Sequence, residues 1–266
     1  MLDMDQIVSY FPAPLRAFKR NLLREYLQYK ILEVIYDSPV GDNLVFMGGT
    51  AIHIIHGGPR FSEDLDFDNR GLDLPAFESL GRLVRSRMER QGFSVEAKVV
   101  QAGALRLSLR FPGLFRLMGL SRDPREKLHL QVDAEPQNFP YAPAVSLIDK
   151  FDVFGRVAAA PADILLAQKI FCLLARRRVM GRDFFDALFL WGKTEPSPDY
   201  LREKLGLGSG QELKARLLDL CRPLDFDRLS EDVAPFLYRP EDAKKIRMFP
   251  EFVESRTFEG IGREGD

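Results

Sequence analysis

The chain has 266 residues, 38 of them Lys or Arg and 39 Asp or Glu, and its formal net charge of −1 excludes a polycation that coats nucleic acid by bulk charge. A hydrophobic content of 45% with 29% charged residues is that of a soluble globular protein, long enough for one large domain or two modest ones. There is no apolar run of about 18 residues and no signal-type leader, so no membrane span is expected, and Cys172 and Cys221 in apolar helical contexts fit reduced thiols and a cytoplasmic location.

Residues 15–37 repeat apolar side chains at helical spacing and predict a long helix. Its basic residues Arg16, Lys19, Arg20, Arg24 and Lys30 fit either a solvated face or a surface that steers RNA. Leu44 to Met47 reads as a short buried strand stopped by Gly48-Gly49. Thr50 is expected to cap a helical segment over 51–56, which Gly57-Gly58-Pro59 ends. Glycines at such a turn let backbone N–H groups approach a phosphate. In the stretch that follows, Leu65 and Phe67 alternate with Asp64, Asp66 and Asp68, which predicts a strand with its apolar residues inward. Asp64 and Asp66 then project together, about 7 Å apart. Two carboxylates on one face repel unless a cation lies between them, and hard oxygen ligands beside a phosphate site suit Mg²⁺ or Mn²⁺. Arg60 and Ser62 could hold phosphate oxygens or the carboxylates.

Gly48-Gly49-Thr50, a thirteen-residue gap and Asp64-Leu65-Asp66 resemble the signature of the DNA polymerase β-like nucleotidyltransferase superfamily. The fuller string, Gly48-Gly49-Thr50-Ala51 and then Arg60-Phe61-Ser62-Glu63-Asp64-Leu65-Asp66-Phe67, is similar to one branch, the AbiEii/AbiGii-type nucleotidyltransferase toxins. The resemblance spans roughly residues 44–191. It implies an α/β (α+β) core with a mixed sheet, followed by a helical C-terminal domain. It also implies a third carboxylate from a neighbouring strand, which completes a second metal site and accepts the proton of an attacking hydroxyl.

Farther along, Pro75 opens a helix to about Gln91, and strands follow over 93–100, 105–111 and 127–133, the first two joined as a hairpin through 101–103. In the last strand Leu128, Leu130 and Val132 face inward, while His129, Gln131 and Asp133 share the other face. Asp133 stands in the order the resemblance requires of the third carboxylate, with Glu135 as the substitute. Proline-rich residues 136–143 mark a boundary, giving a nucleotidyltransferase domain over 1–145 and a mainly helical domain over 146–266 that closes the active-site cleft. From about 145 the pattern reads as helical, with an edge strand over 150–155. Helices follow over 161–178 and 182–191, then near 198–206, 210–220 and 240–253, and the tail from Gly260 is expected to fray.

Lys169, Arg176 to Arg178, and Arg182-Asp183-Phe184-Phe185-Asp186 match the lysine, arginines and Arg-Asp-x-x-Asp motif of the toxin family, although Ala187 shifts the motif's leucine by one. The resemblance implies that Lys169 neutralises a triphosphate and that Arg182 and Asp183 help to bind it. Asp64, Asp66 and Asp133 would hold metal, and Gly48, Gly49, Thr50, Arg60 and Ser62 would cradle phosphates. The implied activity is transfer of an NMP from an NTP to an acceptor, with an RNA end foremost and tRNA the leading candidate. The implied setting is a bacterial toxin–antitoxin or phage-abortive-infection system with a cognate antitoxin. Kinase-like phosphotransfer, NMP transfer to a protein, and a non-catalytic nucleotide- or RNA-binding role are the alternatives.

Overall fold

The computed structural model describes residues 1–258 and Ile261, so the expectation for the tail from Gly260 otherwise lies outside the described residues. Two compact units emerge: Met1–Gly57 with Phe61–Ala160, and Gly58–Arg60 with the chain from Pro161 onward.

In chain order the first unit comprises α1 (Met4–Ser9), α2 (Lys19–Tyr36), β1 (Leu44–Met47), α3 (Gly48–Ile54), β2 (Leu65–Asn69), α4 (Leu74–Arg90), β3 (Glu96–Ala102), β4 (Ala104–Pro112), α5 (Leu114–Leu117), β5 (Lys127–Glu135), β6 (Ala144–Lys150) and β7 (Val153–Ala159). Its strands form one mixed seven-stranded sheet in the order β3-β4-β5-β2-β1-β7-β6. The β2–β5 and β1–β7 pairs are parallel, and the other neighbours are antiparallel.

Period-two alternation decides which face is covered. Leu65 and Phe67 of β2, Leu105, Leu107 and Leu109 of β4, and Leu128, Leu130 and Val132 of β5 are all buried. On the same side α2 buries Leu22, Leu23, Tyr26, Leu27 and Ile31, and α4 buries Phe77, Leu80, Val84 and Met88. Gly81 lets α4 approach the sheet, because a methyl group there would lie 3.1 Å from Val99 and 3.2 Å from Leu107. The opposite face of β4 and β5 carries polar residues, with Arg106 and Arg110 exposed.

Three expectations change in this unit. The helix predicted over 15–37 begins at Lys19, because Pro12 and Pro14 turn the preceding segment into a single 3₁₀ turn over Ala13–Leu15. Three of its cations are answered by carboxylates: Arg20 pairs with Glu126, Arg24 with Glu63 at 3.4 Å and Lys30 with Glu33 at 2.8 Å. Residues from 145 form the β6–β7 hairpin rather than a helix, turning at Phe151 with φ 61°. There Val153, Val157 and Ala159 point inward, while Val145, Leu147 and Phe154 are apolar yet 72%, 63% and 71% exposed, which hides the alternation from a hydropathy reading. The Ala160 N–H continues the β1 contact by donating to the Phe46 carbonyl at 2.9 Å, so the unit ends there rather than at 145.

The second unit is helical: α6 (Ala162–Ala175), α7 (Gly181–Trp191), α8 (Pro198–Leu205), α9 (Gly210–Cys221), α10 (Phe226–Val233), α11 (Lys244–Arg247) and α12 (Phe249–Ser255). The helix expected to reach 178 stops at Ala175, leaving Arg176, Arg177 and Arg178 in an exposed loop. The helix expected over 240–253 is a 3₁₀ turn followed by α11 and α12, because Pro250 lacks the N–H that would continue one helix and instead opens a new one. Phe184 meets Phe249 edge-on with centroids 4.7 Å apart, and Trp191 packs against Phe252 at 5.4 Å.

Candidate active site

The acids gather on the open face of the first unit's sheet. Met47 pairs with Asp66 across β1 and β2, Asp66 with Asp133 across β2 and β5, and Asp133 with Arg106 across β5 and β4. Directly paired residues in a sheet share a face, so Asp66, Asp133 and Arg106 form one lateral row with neighbouring strands about 4.8 Å apart. Asp64 lies two residues before Asp66 and projects to the same side. Burial lifts the Asp64 carboxyl above its ordinary range. The charges of Glu63 and Asp133 add to this, against a hydrogen bond from the Gln131 backbone and the Arg24 charge.

Gly48 fixes the end of the row. Its φ of 75° is left-handed, and a Cβ there would lie 2.9 Å from the Asp66 Cβ and nearer still to its carboxylate. Helix α3 begins at Gly48 itself, so Thr50 is not its cap. The buried Thr50 hydroxyl donates instead to the Asp64 carbonyl, tying the helix to the start of β2. Gly49 stands in the first turn of α3. Ser62 is half-buried, and its carbonyl accepts from Gln28 Nε2 at 3.0 Å.

The remaining predicted residues belong to the second unit. Arg60, expected among the phosphate ligands, is only 3% exposed, and its Nε and Nη2 each donate to Asp186 at 2.6 Å. The short segment that carries it is woven into this unit: Arg60 bridges Leu237, and Tyr238 N–H donates to the Pro59 carbonyl at 3.1 Å. Lys169, expected on a triphosphate, is 8% exposed and its Nζ lies between Asp183 at 2.8 Å and Asp186 at 2.9 Å. The second oxygen of Asp183 accepts from Arg176 at 3.1 Å. Burial pushes the Asp186 carboxyl up, yet Arg60 and Lys169 outweigh it and hold the group below its ordinary range. Burial likewise works against the Lys169 ammonium, and the two aspartates raise it well above its usual value. These side chains form an internal framework joining α6, α7 and the 58–60 segment. Arg176 to Arg178 face solvent and Arg182 is half-exposed.

Reading the sequence missed Arg106 and the full part of Asp186. Arg106 Nε donates to Asp133 Oδ1 at 2.9 Å and Nη2 to Oδ2 at 3.3 Å, while Gln131 Nε2 donates to Oδ2 at 2.8 Å. The signal for Arg106 was its place between inward Leu105 and Leu107, but the register that sets it beside Asp133 is a long-range property.

Among the described residues no three His, Cys, Asp or Glu side chains converge into a ready-made metal cage. The donor chemistry nevertheless suits a hard divalent cation. Asp64, Asp66 and Asp133 offer only carboxylate oxygens, and burial, with the charges of Glu63 and Asp133, lifts the Asp64 carboxyl.

The first unit thus carries a mixed seven-stranded sheet with a glycine turn after β1, Asp66 on β2, Asp64 just before that strand, and Asp133 in register on β5. The family described as "Nucleotidyl transferase AbiEii toxin, Type IV TA system" matches residues 30–262, and the chain belongs to that family. Two crystal structures share the fold. JHP933 from Helicobacter pylori is 21% identical with TM-score 0.53, the alignment covering 88% of this chain and 91% of that one. A candidate nucleotidyltransferase from H. pylori is 20% identical with TM-score 0.55, covering 91% and 98%. No curated protein matches this chain in sequence.

Proposed function

We propose that the first unit binds an NTP over Asp64, Asp66 and Asp133 and transfers its NMP to a hydroxyl at an RNA end, with tRNA as the foremost acceptor. The observation that carries this reading is the lateral row in which Asp66 and Asp133 stand side by side, closed at one end by Gly48. The acceptor oxygen attacks the α-phosphorus, the bond to the bridging α,β-oxygen breaks, and pyrophosphate departs with that electron pair. Asp133 takes the proton of the attacking hydroxyl. Backbone N–H groups at Gly48 and Gly49 bind phosphate oxygens, beside an Asp66 carboxylate that a side chain at Gly48 would displace. Mg²⁺ or Mn²⁺ held by the three aspartates supplies charge neutralisation for the triphosphate. Arg176 to Arg178 and Arg182 offer guanidinium groups to the phosphates of an acceptor. The family's type IV setting supports a cognate antitoxin encoded alongside, as the partner that limits this activity.

The position of a radiolabel tests the reaction type. Nucleotidyl transfer carries an α-phosphate label to the acceptor and releases a γ-label as pyrophosphate. Transfer of the γ-label instead would replace this reading with phosphotransfer.

A further inference from the structure

Both oxygens of Asp133 accept from side-chain donors. Arg106 grips it with two N–H groups at 2.9 and 3.3 Å, and Gln131 adds a third at 2.8 Å. A carboxylate so engaged turns its lone pairs toward the guanidinium.

Charge explains why an arginine stands there. Without a cation the row sets Asp64, Asp66 and Asp133 on one face, and Arg106 is the guanidinium paired in register with the last. It also senses Asp64 electrostatically. The Arg106 side chain is 47% exposed, so it has solvent-side room to move, whereas Arg60 is buried against Asp186 and held by it. The Arg106–Asp133 pair is therefore open to solvent and to a competing ion, as the buried Arg60–Asp186 pair is not.

We infer that Arg106 is the resident counter-ion of Asp133, that a divalent metal ion displaces it, and that the released guanidinium then binds the phosphates of the substrate. This inference rests on the nucleotidyltransferase reading of the three aspartates. Arg106 is thus a positioning residue in the free protein and a substrate ligand in the loaded one. Its two roles predict opposite effects of one substitution. Removing the competitor tightens metal binding, and removing the phosphate ligand weakens NTP binding.

The full chain is titrated with Mn²⁺ while the electron paramagnetic resonance of free Mn²⁺ is followed, for wild type, Arg106→Gln, Arg106→Lys and Asp133→Asn. Thermal unfolding verifies that each variant is folded. Arg106→Gln should bind Mn²⁺ about fivefold more tightly, the equivalent of one exposed ion pair. Arg106→Lys should lie between it and wild type, since lysine cannot pair bidentately. Asp133→Asn should bind more weakly than wild type. At saturating Mn²⁺, KM for NTP should rise about tenfold in Arg106→Gln, the loss of one charge-assisted hydrogen bond. A general structural defect would not tighten metal binding. Unchanged or weaker Mn²⁺ affinity in folded Arg106→Gln, with Asp133→Asn still impaired, overturns the inference and leaves the catalytic reading standing. An unchanged KM for NTP overturns the substrate-binding half. No Mn²⁺ binding by wild type overturns both the inference and the metal reading.

Discussion

Asp66 sits between the glycine corner and Asp133, and its burial is only partial, so the role we propose for it separates from any role in packing. Asp66→Ala should lower NMP transfer by about 10²–10³-fold or more, the scale of losing one preorganised electrostatic contact, while the unfolding temperature stays near that of wild type. Gly48→Ala combines an unfavourable left-handed backbone, worth about 1–2 kcal/mol, with intrusion on the Asp66 side chain, so both stability and activity should fall. Asp186 differs in kind. Asp186→Ala removes the bidentate partner of buried Arg60 and leaves Lys169 to Asp183, and should cost about 3–5 kcal/mol in a denaturant titration. The pH dependence follows from the same network. The depressed Asp186 carboxyl contributes stability that is complete above its unfolded pKa of about 3.9 and is lost as pH falls through the lower folded value. The raised Lys169 ammonium contributes fully below its unfolded pKa of about 10.4 and loses that contribution as pH rises through the higher folded value. Urea midpoints across pH should therefore show the gap between wild type and Asp186→Asn widest from about pH 5 to 10 and narrowing below about pH 4.

At the scale of elements, local chemistry was readable and register was not. The strand Leu65–Asn69, the glycine stop before α3 and the inward leucines of β5 follow from neighbours within a few residues. Asp66 and Asp133 stood out for that reason, because each lies on a strand next to inward apolar residues, and Asp64 immediately precedes β2. Arg60 was misplaced because its partner Asp186 is 126 residues away, and nothing near Arg60 signals that pairing. Arg106 was missed because two strand pairings had to be known before it met Asp133. The β6–β7 hairpin was misread because Val145, Leu147 and Phe154 put apolar side chains on its exposed face. Close approach of helices leaves a fainter trace. A Cβ on Gly181 would lie 3.0 Å from the Leu229 carbonyl carbon, and nearer to its oxygen, where α7 meets α10. Gly181→Ala should therefore lower stability by about 1–3 kcal/mol, read as a lower unfolding temperature, although alanine is the better helix former.

For the molecule as a whole, a net charge of −1 means that the RNA acceptor we propose would have to be held by local cations rather than by bulk attraction. Arg176 to Arg178 form one such exposed cluster, and Arg106 and Arg110 another. Each phosphate contact on a single strand contributes about −0.7 to the slope of log K against log salt concentration. Replacing Arg176, Arg177 and Arg178 together by glutamine should make the slope for RNA binding shallower by up to about 2, since three contacts at most are removed. NTP binding by the first unit's aspartates should be affected far less. We propose that Asp64, Asp66 and Asp133 catalyse nucleotidyl transfer to RNA. The most direct test incubates wild type and Asp66→Ala with total RNA, Mg²⁺ and each α-labelled NTP in turn. The account predicts a labelled RNA of tRNA size with wild type alone and with a restricted set of NTPs. Equal labelling by both proteins, or none by wild type with any NTP, would contradict it.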